Sequence, residues 1–146
     1  DSPDSGYVGK PKTTHKENLL NFIKNNQSPI VVPLGLGDDG RIYNINADVA
    51  AGSIAKEIDA RRLLLMTDVE GVLDENQKLI SEINLNKANE MLKNNIISGG
   101  MIPKINTCLD AISNGVRGVV IVDGRKPHSI LFELFSDKGA GTLIRK

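Results

Sequence analysis

The segment "VRGVVIVDG", Val116–Gly124, carries the clearest structural signal in this 146-residue chain. A continuous apolar run of this kind is typical of a strand that is buried on both faces of a parallel sheet. The helical pattern before it, "IPKINTCLDAISNG", stops at Gly115. Glycine commonly follows a helix because it adopts the left-handed backbone conformation without a side-chain clash. The sequence therefore predicts a helix that leads directly into a central strand.

Strands and helices alternate along the rest of the chain. The other predicted strands are a short edge strand in 6–10, a buried parallel strand over Pro29–Gly37, and strands at the start of 61–74, in 78–83 and in 139–146. The other predicted helices cover 16–26, 47–58, 86–95 and 127–135. This alternation predicts an α/β fold with a mainly parallel sheet covered by helices on both faces. In such sheets, ligands bind beyond the carboxyl ends of the strands.

Composition argues against several classes of protein. The 18 basic and 18 acidic residues cancel, so the chain lacks the charge of a broad nucleic-acid or anionic-membrane surface. No apolar run approaches the roughly 20 residues needed to cross a bilayer, and no signal peptide is present, so an intracellular protein is expected. The single cysteine, Cys108, lies in an apolar helical pattern and is predicted to be a small core residue.

The segment "SGGMIPK", Ser98–Lys104, combines two glycines with a lysine at the start of a predicted helix. Helix N-termini present unpaired N–H groups and a partial positive charge, and glycines let the backbone approach an anion. Lys104 adds a full charge about one turn into the helix, which suits a phosphate. The alternative is an ordinary turn followed by a solvated lysine. The segment is neither a P-loop nor a G-x-G-x-x-G motif.

Two further segments carry polar residues at element ends. In "YNINAD", Tyr43–Asp48, the asparagine amides can bind a carboxylate or cap the next helix, and Asp48 can interact with the helix dipole or hold nearby lysines. In "TDVEGVLD", Thr67–Asp74, Asp68 can accept hydrogen bonds from ribose hydroxyls or serve as an ordinary turn residue.

Four segments in this order resemble the N-acetylglutamate kinase family of the amino acid kinase superfamily: "YNINADVAAG", "LLLMTDVEGVLD", "IISGGMIPKI" and "VDGRKPHSILFELFSDKGAGT". The resemblance covers about Pro3 to Ile144. It implies a three-layer αβα sandwich of the amino acid kinase type. It also implies ATP-dependent phosphorylation of the γ-carboxylate of N-acetyl-L-glutamate, a step of arginine biosynthesis.

The resemblance also implies roles for individual residues. Lys104 would stabilise the phosphoryl group during transfer, Asp48 would organise the catalytic lysines, and Asn44 and Asn46 would hold the acetylglutamate. Mg²⁺ would arrive with ATP, with no protein ligand assigned. The nucleotide pocket would be lined by Asp68, Val69, Glu70, Gly71, Val72, Leu73, Ile96, Ile97 and Ser98.

The tail segment "HSILFELFSDKGAGT" is similar to the corresponding part of arginine-inhibited family members. The similarity implies an arginine site that includes His128, Glu133 and Gly141. In that site Glu133 would pair with the guanidinium group of arginine, and His128 would lie near its carboxylate. The alternative is that Glu133 is a solvated helix residue and His128 a helix-start residue.

Family chains are about twice as long and carry a glycine-rich loop and a second catalytic lysine in their N-terminal half. Residues 1–146 are therefore predicted to be a single domain, the ATP-binding C-terminal half, with the N-terminal lobe absent and with little or no activity alone. The resemblance further implies a cytoplasmic or plastid enzyme, a homo-oligomer in the full-length protein and a PII-type regulator. Two alternatives stay open: a nucleotide- or arginine-binding regulatory module without catalysis, and a carbamate, aspartate or nucleoside monophosphate kinase.

Overall fold

The computed structural model describes residues 6–12 and 14–146, so the beginning of the N-terminal segment, residues 1–5, and residue 13 lie outside this description. The strands are β1 (Val8–Gly9), β2 (Leu34–Leu36), β3 (Ile42–Ile45), β4 (Leu63–Thr67), β5 (Glu82–Asn84), β6 (Gly118–Asp123) and β7 (Gly141–Arg145). The helices are α1 (Lys16–Lys24), α2 (Ala47–Glu57), α3 (Leu85–Lys93), α4 (Met101–Ser113) and α5 (Ser129–Phe135).

The main sheet has the strand order β4-β6-β7-β5. Strand β6 is parallel to β4, and β5 is parallel to β7, whereas β7 runs antiparallel to β6. Strand β7 begins beside the carboxyl end of β6, and it therefore runs antiparallel to that strand. The α/β sandwich expected from the sequence is confirmed, with one antiparallel pairing inside its sheet.

Strand β6 is buried along its whole length, which shows that both faces of the sheet are covered because successive side chains point to opposite faces. Val119 and Ile121 point into a core cluster to which α2, α3 and α4 contribute residues such as Ala55, Met91 and Ile105. The alternate residues of β6 are fully buried as well. Helix α5 contacts β6 without contributing to that cluster. The predicted central strand and its preceding helix are thus both confirmed.

The prediction of a buried parallel strand over Pro29–Gly37 is wrong. Only Leu34–Leu36 forms a strand, which pairs antiparallel with β3 in a separate three-stranded sheet of order β1-β3-β2. The side chains of this run are largely uncovered, with Ile30 97% and Leu36 78% exposed. A continuous apolar run predicts a segment that is buried on both faces. Here, no element within the described residues covers the side chains of the run.

The antiparallel pairing of β6 and β7 depends on Gly141. A Cβ atom at this position would overlap the carbonyl oxygen of Ile121 in the neighbouring strand. We expect Gly141→Ala to lower the free energy of unfolding by at least about 3 kcal/mol, because backbone of the central sheet would have to move. Gly100→Ala is the control, since that site has open space and a negative φ of −64°, and its effect should stay within about 0.5 kcal/mol. Urea unfolding of both variants measures the difference, and equal stabilities would contradict this account.

Candidate functional site

The N-terminal ends of α2 and α4 lie next to each other. Asn46 caps α2, where its Oδ1 accepts hydrogen bonds from the backbone N–H groups of Asp48 (3.0 Å) and Val49 (3.2 Å). Helix α4 begins after Gly99, which has a φ of +56° that favours glycine. Lys104 Nζ donates to Asp48 Oδ2 at 2.7 Å, and this bond joins the first turns of the two helices.

The Lys104–Asp48 pair is only partly accessible to water. Each side chain is 22% exposed, so the attraction between the charges is screened less than that of a fully exposed pair. The N-terminal ends of both helices add partial positive charge at the same place. The arrangement gives a fixed ammonium group in a locally positive environment that favours an anion.

Cys108 lies one turn beyond Lys104 on α4 and is fully buried in the core cluster, as predicted. Burial, and then the nearby charge of Asp48, raises the pKa of its thiol to about 12. The thiol therefore stays protonated near neutral pH and contributes packing rather than nucleophilic chemistry.

The two predicted acetylglutamate residues differ in what their side chains do. The Oδ1 of Asn46 is used by the helix cap, which leaves its Nδ2 for a ligand. Asn44 is exposed on β3, and its backbone N–H donates to Tyr7 O at 2.8 Å. Its side-chain amide has no hydrogen-bond partner within residues 6–12 and 14–146. Both asparagines directly precede the helix that carries Asp48.

The predicted nucleotide segment 68–73 follows β4 and has an exposed part and an anchored part. Asp68, Val69 and Glu70 are exposed, whereas Val72 is 2% exposed and belongs to the core cluster. The anchor is Thr142, whose Oγ1 accepts from Val72 N (2.8 Å) and donates to Ile80 O (2.6 Å).

Gly71 is required by this anchor. Its φ is +148°, and a Cβ atom at this position would lie 2.5 Å from Thr142 Oγ1, so there is no room for a side chain. The glycine of "TDVEGVLD" therefore has a structural role at the anchored end of the segment. Leu73, which is half-buried, forms an isolated bridge with Leu79.

The second predicted nucleotide segment, 96–98, lies between α3 and α4. Ile97 is buried in the same core cluster as Val72, and Ile96 packs against that cluster. Ser98 is exposed, and its carbonyl oxygen accepts from Met101 N as α4 begins. The two segments thus share one apolar base and present Asp68, Glu70 and Ser98 to solvent.

The carboxyl ends of β4 and β6 meet, since Thr67 is in register with Asp123. Asp123 is buried, and Arg125 binds it through Nε–Oδ1 and Nη2–Oδ2 contacts of 2.9 Å each. These side-chain hydrogen bonds, with the backbone N–H of Arg125, lower the pKa of Asp123 to about 2. Because its pKa is lowered, Asp123 stabilises the fold above about pH 4, and that contribution is lost as the pH falls towards 2.

A second ion pair links the same two strand ends. Lys126, which follows β6, binds Glu70 in the loop after β4. Both side chains are about half exposed, so this pair contributes little to stability by itself. It does bring a cation next to the exposed part of the predicted nucleotide segment.

The structure contradicts the alternative that Glu133 is a solvated helix residue. Its carboxylate is buried rather than solvated, and its guanidinium partner is Arg62 of the same chain, at 3.2 Å between Nη1 and Oε1. Its Oε2 accepts from Ala140 N at 2.9 Å, which ties α5 to the start of β7. His128 is exposed at the start of α5, and Gly141 begins β7 directly after Ala140, the residue that binds Glu133.

The described residues line two notable cavities. An open cleft of about 630 Å³ lies between the small sheet and α2, and none of the predicted site residues line it. A cavity of about 340 Å³ lies beside α5 and β7, and its lining includes Lys126, Lys138 and Gly141.

Within residues 6–12 and 14–146, no group of three or more His, Cys, Asp or Glu side chains is placed to hold a metal ion. Nor does any helix in this part of the chain have the length and apolar character that crossing a bilayer requires.

Several residues of the site are not predictable from the sequence alone. Thr142, Arg62 and Lys126 act through partners 56 to 71 positions away, and no local pattern indicates such pairs. The sequence marks Asp123 only as a strand end. The opposite charges of Asp123 and Arg125, two positions apart at the end of a buried strand, are the local signal that could have identified this ion pair.

Comparisons with known proteins give a consistent result. The model of the amino acid kinase family matches residues 1–123. The acetylglutamate kinase of Pelagibacter ubique is 60% identical over all of this chain, which covers 51% of that protein. The acetylglutamate kinase of Rhodospirillum rubrum is 48% identical over 97% of the chain and 46% of its own length. The chain therefore spans about half the length of the curated relatives it matches.

Among solved structures, the chain is similar to the N-acetylglutamate synthase of Neisseria gonorrhoeae complexed with coenzyme A and L-arginine. The TM-score is 0.89 at 25% identity, and the match covers 97% of this chain and 33% of that one.

Proposed function

This chain belongs to the amino acid kinase family, and from this premise we propose that it is the ATP-binding half of an acetylglutamate kinase. The complete enzyme would transfer phosphate from ATP to the γ-carboxylate of N-acetyl-L-glutamate, in the arginine pathway and in the cytoplasm. The identity of 60% to an acetylglutamate kinase over the whole chain supports the substrate. The observation that carries the proposal is the Lys104–Asp48 ion pair at the adjoining N-terminal ends of α2 and α4.

In the proposed reaction, an oxygen of the γ-carboxylate attacks the γ-phosphorus of ATP, and the bond to the β,γ-bridging oxygen breaks. ADP leaves, and an acyl phosphate forms. Phosphoryl transfer is catalysed mainly by positioning and by electrostatic stabilisation. Lys104 supplies a positive charge for the transferring group, and Asp48 keeps its ammonium group in one place at 2.7 Å.

The remaining predicted residues have distinct proposed parts. Asn44, whose amide has no partner in the described residues, would bind acetylglutamate together with Nδ2 of Asn46. Asp68 and Glu70 would face the nucleotide, with Val72 and Ile97 beneath it as the apolar base. Mg²⁺ would be held mainly by the phosphates and by water. The homo-oligomer and the PII-type regulator remain predictions.

We place L-arginine, as a regulator, in the cavity of about 340 Å³ beside α5 and β7. The similar synthase structure is complexed with L-arginine, and Lys138, which lines this cavity, can bind a carboxylate. Glu133 is not a ligand in this proposal, because Arg62 and Ala140 already occupy its carboxylate. Its role is to hold the loop before β7, which lines the cavity.

The catalytic role of Lys104 is tested in a fusion of this chain to the half of the Pelagibacter ubique relative that it does not match. The isolated chain should bind ATP but show little or no turnover in an ADP-release assay, and the fusion should turn over.

Lys104→Met should lower kcat of the fusion by about 10²- to 10³-fold, because one preorganised charge is lost. Lys56→Met is the matched control, since Lys56 bridges the same two helices through Asp110 at 2.6 Å. Its kcat should remain near that of the parent fusion.

Four outcomes would contradict the proposal. Full turnover by the isolated chain would show that no second half is needed. Equal losses in the two lysine variants would remove the special role of Lys104. Arginine binding without nucleotide binding, in titrations of the isolated chain, would favour the regulatory module, and turnover with carbamate but not acetylglutamate would favour a carbamate kinase.

The exposed apolar face of the small sheet has a proposed partner in the same enzyme. We propose that the other half of the protein packs on this face, formed by Ile30, Val31, Val32, Leu34, Leu36 and Ile42. Soluble monomers rarely expose continuous apolar patches of more than a few hundred Å². The open cleft of about 630 Å³ borders the same face, and the relatives contain about as many further residues as this chain has.

This packing is tested with the double substitution Ile30→Ser and Val32→Ser. In the isolated chain, stability should change by less than about 0.5 kcal/mol per site, because both side chains are largely in water. In the fusion, Tm should fall by about 4 °C or more, because the same side chains become buried. Phe135→Ser, at an 83% exposed position on α5, is the control and should leave Tm unchanged in both proteins. An unchanged Tm of the doubly substituted fusion would refute the packing.

A further inference from the structure

Helices α2 and α4 run side by side in the same direction. Asp48 and Lys104 pair near their N-terminal ends, and Lys56 and Asp110 pair towards their C-terminal ends, at 2.6 Å. Between these two ion pairs the helices approach closely at Gly52. A Cβ atom at Gly52 would lie 2.9 Å from Cγ2 of Thr107, which is closer than real Cβ contacts allow.

The Thr107 side chain cannot easily yield to such a Cβ atom. Its Oγ1 donates to Pro103 O at 3.1 Å, one turn earlier on α4, and this bond selects the rotamer that directs Cγ2 towards Gly52. The separation of two packed helices depends on the side chains at their contact. A single methyl group at residue 52 would therefore push α2 and α4 apart or turn one against the other.

The contact lies close to the proposed catalytic pair. Gly52 is one turn after Asp48 on α2, and Thr107 is three residues after Lys104 on α4. Any change in helix separation here is transmitted through one turn of each helix to the 2.7 Å bond between Lys104 and Asp48.

We propose that Gly52 and Thr107 are positioning residues that set the distance between Asp48 and Lys104. They act through the helix contact and touch no substrate. The positioning is a property of this chain, whereas its effect on turnover rests on the proposed function. Misplacing a catalytic group by about 1 Å can cost about 100-fold in rate, so a shift of a few tenths of an ångström is expected to cost about 10-fold.

The positioning is tested first in the isolated chain by a double-mutant cycle. Asp48→Asn and Lys104→Met, singly and together, are compared by urea unfolding in the Gly52 background and in the Gly52→Ala background. We expect the coupling between the Asp48 and Lys104 side chains to change the unfolding equilibrium constant by about 5-fold or more when residue 52 is glycine. After Gly52→Ala, the coupling should change that constant by less than about 2-fold. Alanine is the better helix former, so the substituted chain is expected to fold, and its overall stability is not the readout.

The matched rescue is Thr107→Ser, which removes Cγ2 and retains the hydroxyl group that bonds to Pro103. Added to Gly52→Ala, it should restore the coupling. Coupling that survives Gly52→Ala, or that Thr107→Ser does not restore, would overturn the proposal.

The second test measures kcat and KM of the fusion, and it also decides the matter if the substituted chain does not fold alone. Gly52→Ala should lower kcat by about 10-fold with little change in KM, and the added Thr107→Ser should recover kcat. A loss of coupling without a loss of kcat would support the positioning and contradict the proposed role of Lys104. An unaltered coupling would contradict the positioning whatever the activity, so the two failures can be distinguished.

Discussion

The ion pair between Lys104 and Asp48 is the interaction on which the site depends. It joins the first turns of two parallel helices, at 2.7 Å and with both side chains largely covered. Neither helix alone fixes the ammonium group, because a lysine side chain has many rotamers and a large conformational entropy. The helix cap by Asn46, the turn at Gly99 and the close contact at Gly52 together bring the two charges to one place.

The sheet places the second part of the site. Parallel pairing of β4 with β6 brings their carboxyl ends together. There Asp123, the last residue of β6, forms an ion pair with Arg125. Lys126 and Glu70 form a second ion pair, which connects the loops that follow the two strands. Thr142 in β7 anchors the buried end of the loop after β4 by accepting a hydrogen bond from Val72 N. The loop therefore combines a buried, fixed end with an exposed, acidic end, which suits a segment that holds a ligand on a rigid base.

Much of this arrangement could be predicted from the sequence, and the remainder could not for physical reasons. Local patterns predict the buried strand β6, the helix end at Gly115 and the core position of Cys108. The family resemblance predicts the proximity of Lys104 to Asp48. The prediction for Pro29–Gly37 is wrong because an exposed apolar segment has the same local pattern of residues as a buried core strand. The partner of Glu133 is not predictable because Arg62 lies 71 residues away and only the tertiary fold brings it close.

The proposed catalytic role requires that the Lys104 ammonium group, held by Asp48, faces the phosphoryl group in transfer. The most direct measurement is a crystal structure of the active fusion with ADP, Mg²⁺, N-acetyl-L-glutamate and aluminium fluoride, which mimics that group. We expect Nζ of Lys104 within about 3 Å of a fluoride ligand while its bond to Asp48 persists. A fluoride group bound elsewhere, with Lys104 turned to solvent, would contradict it.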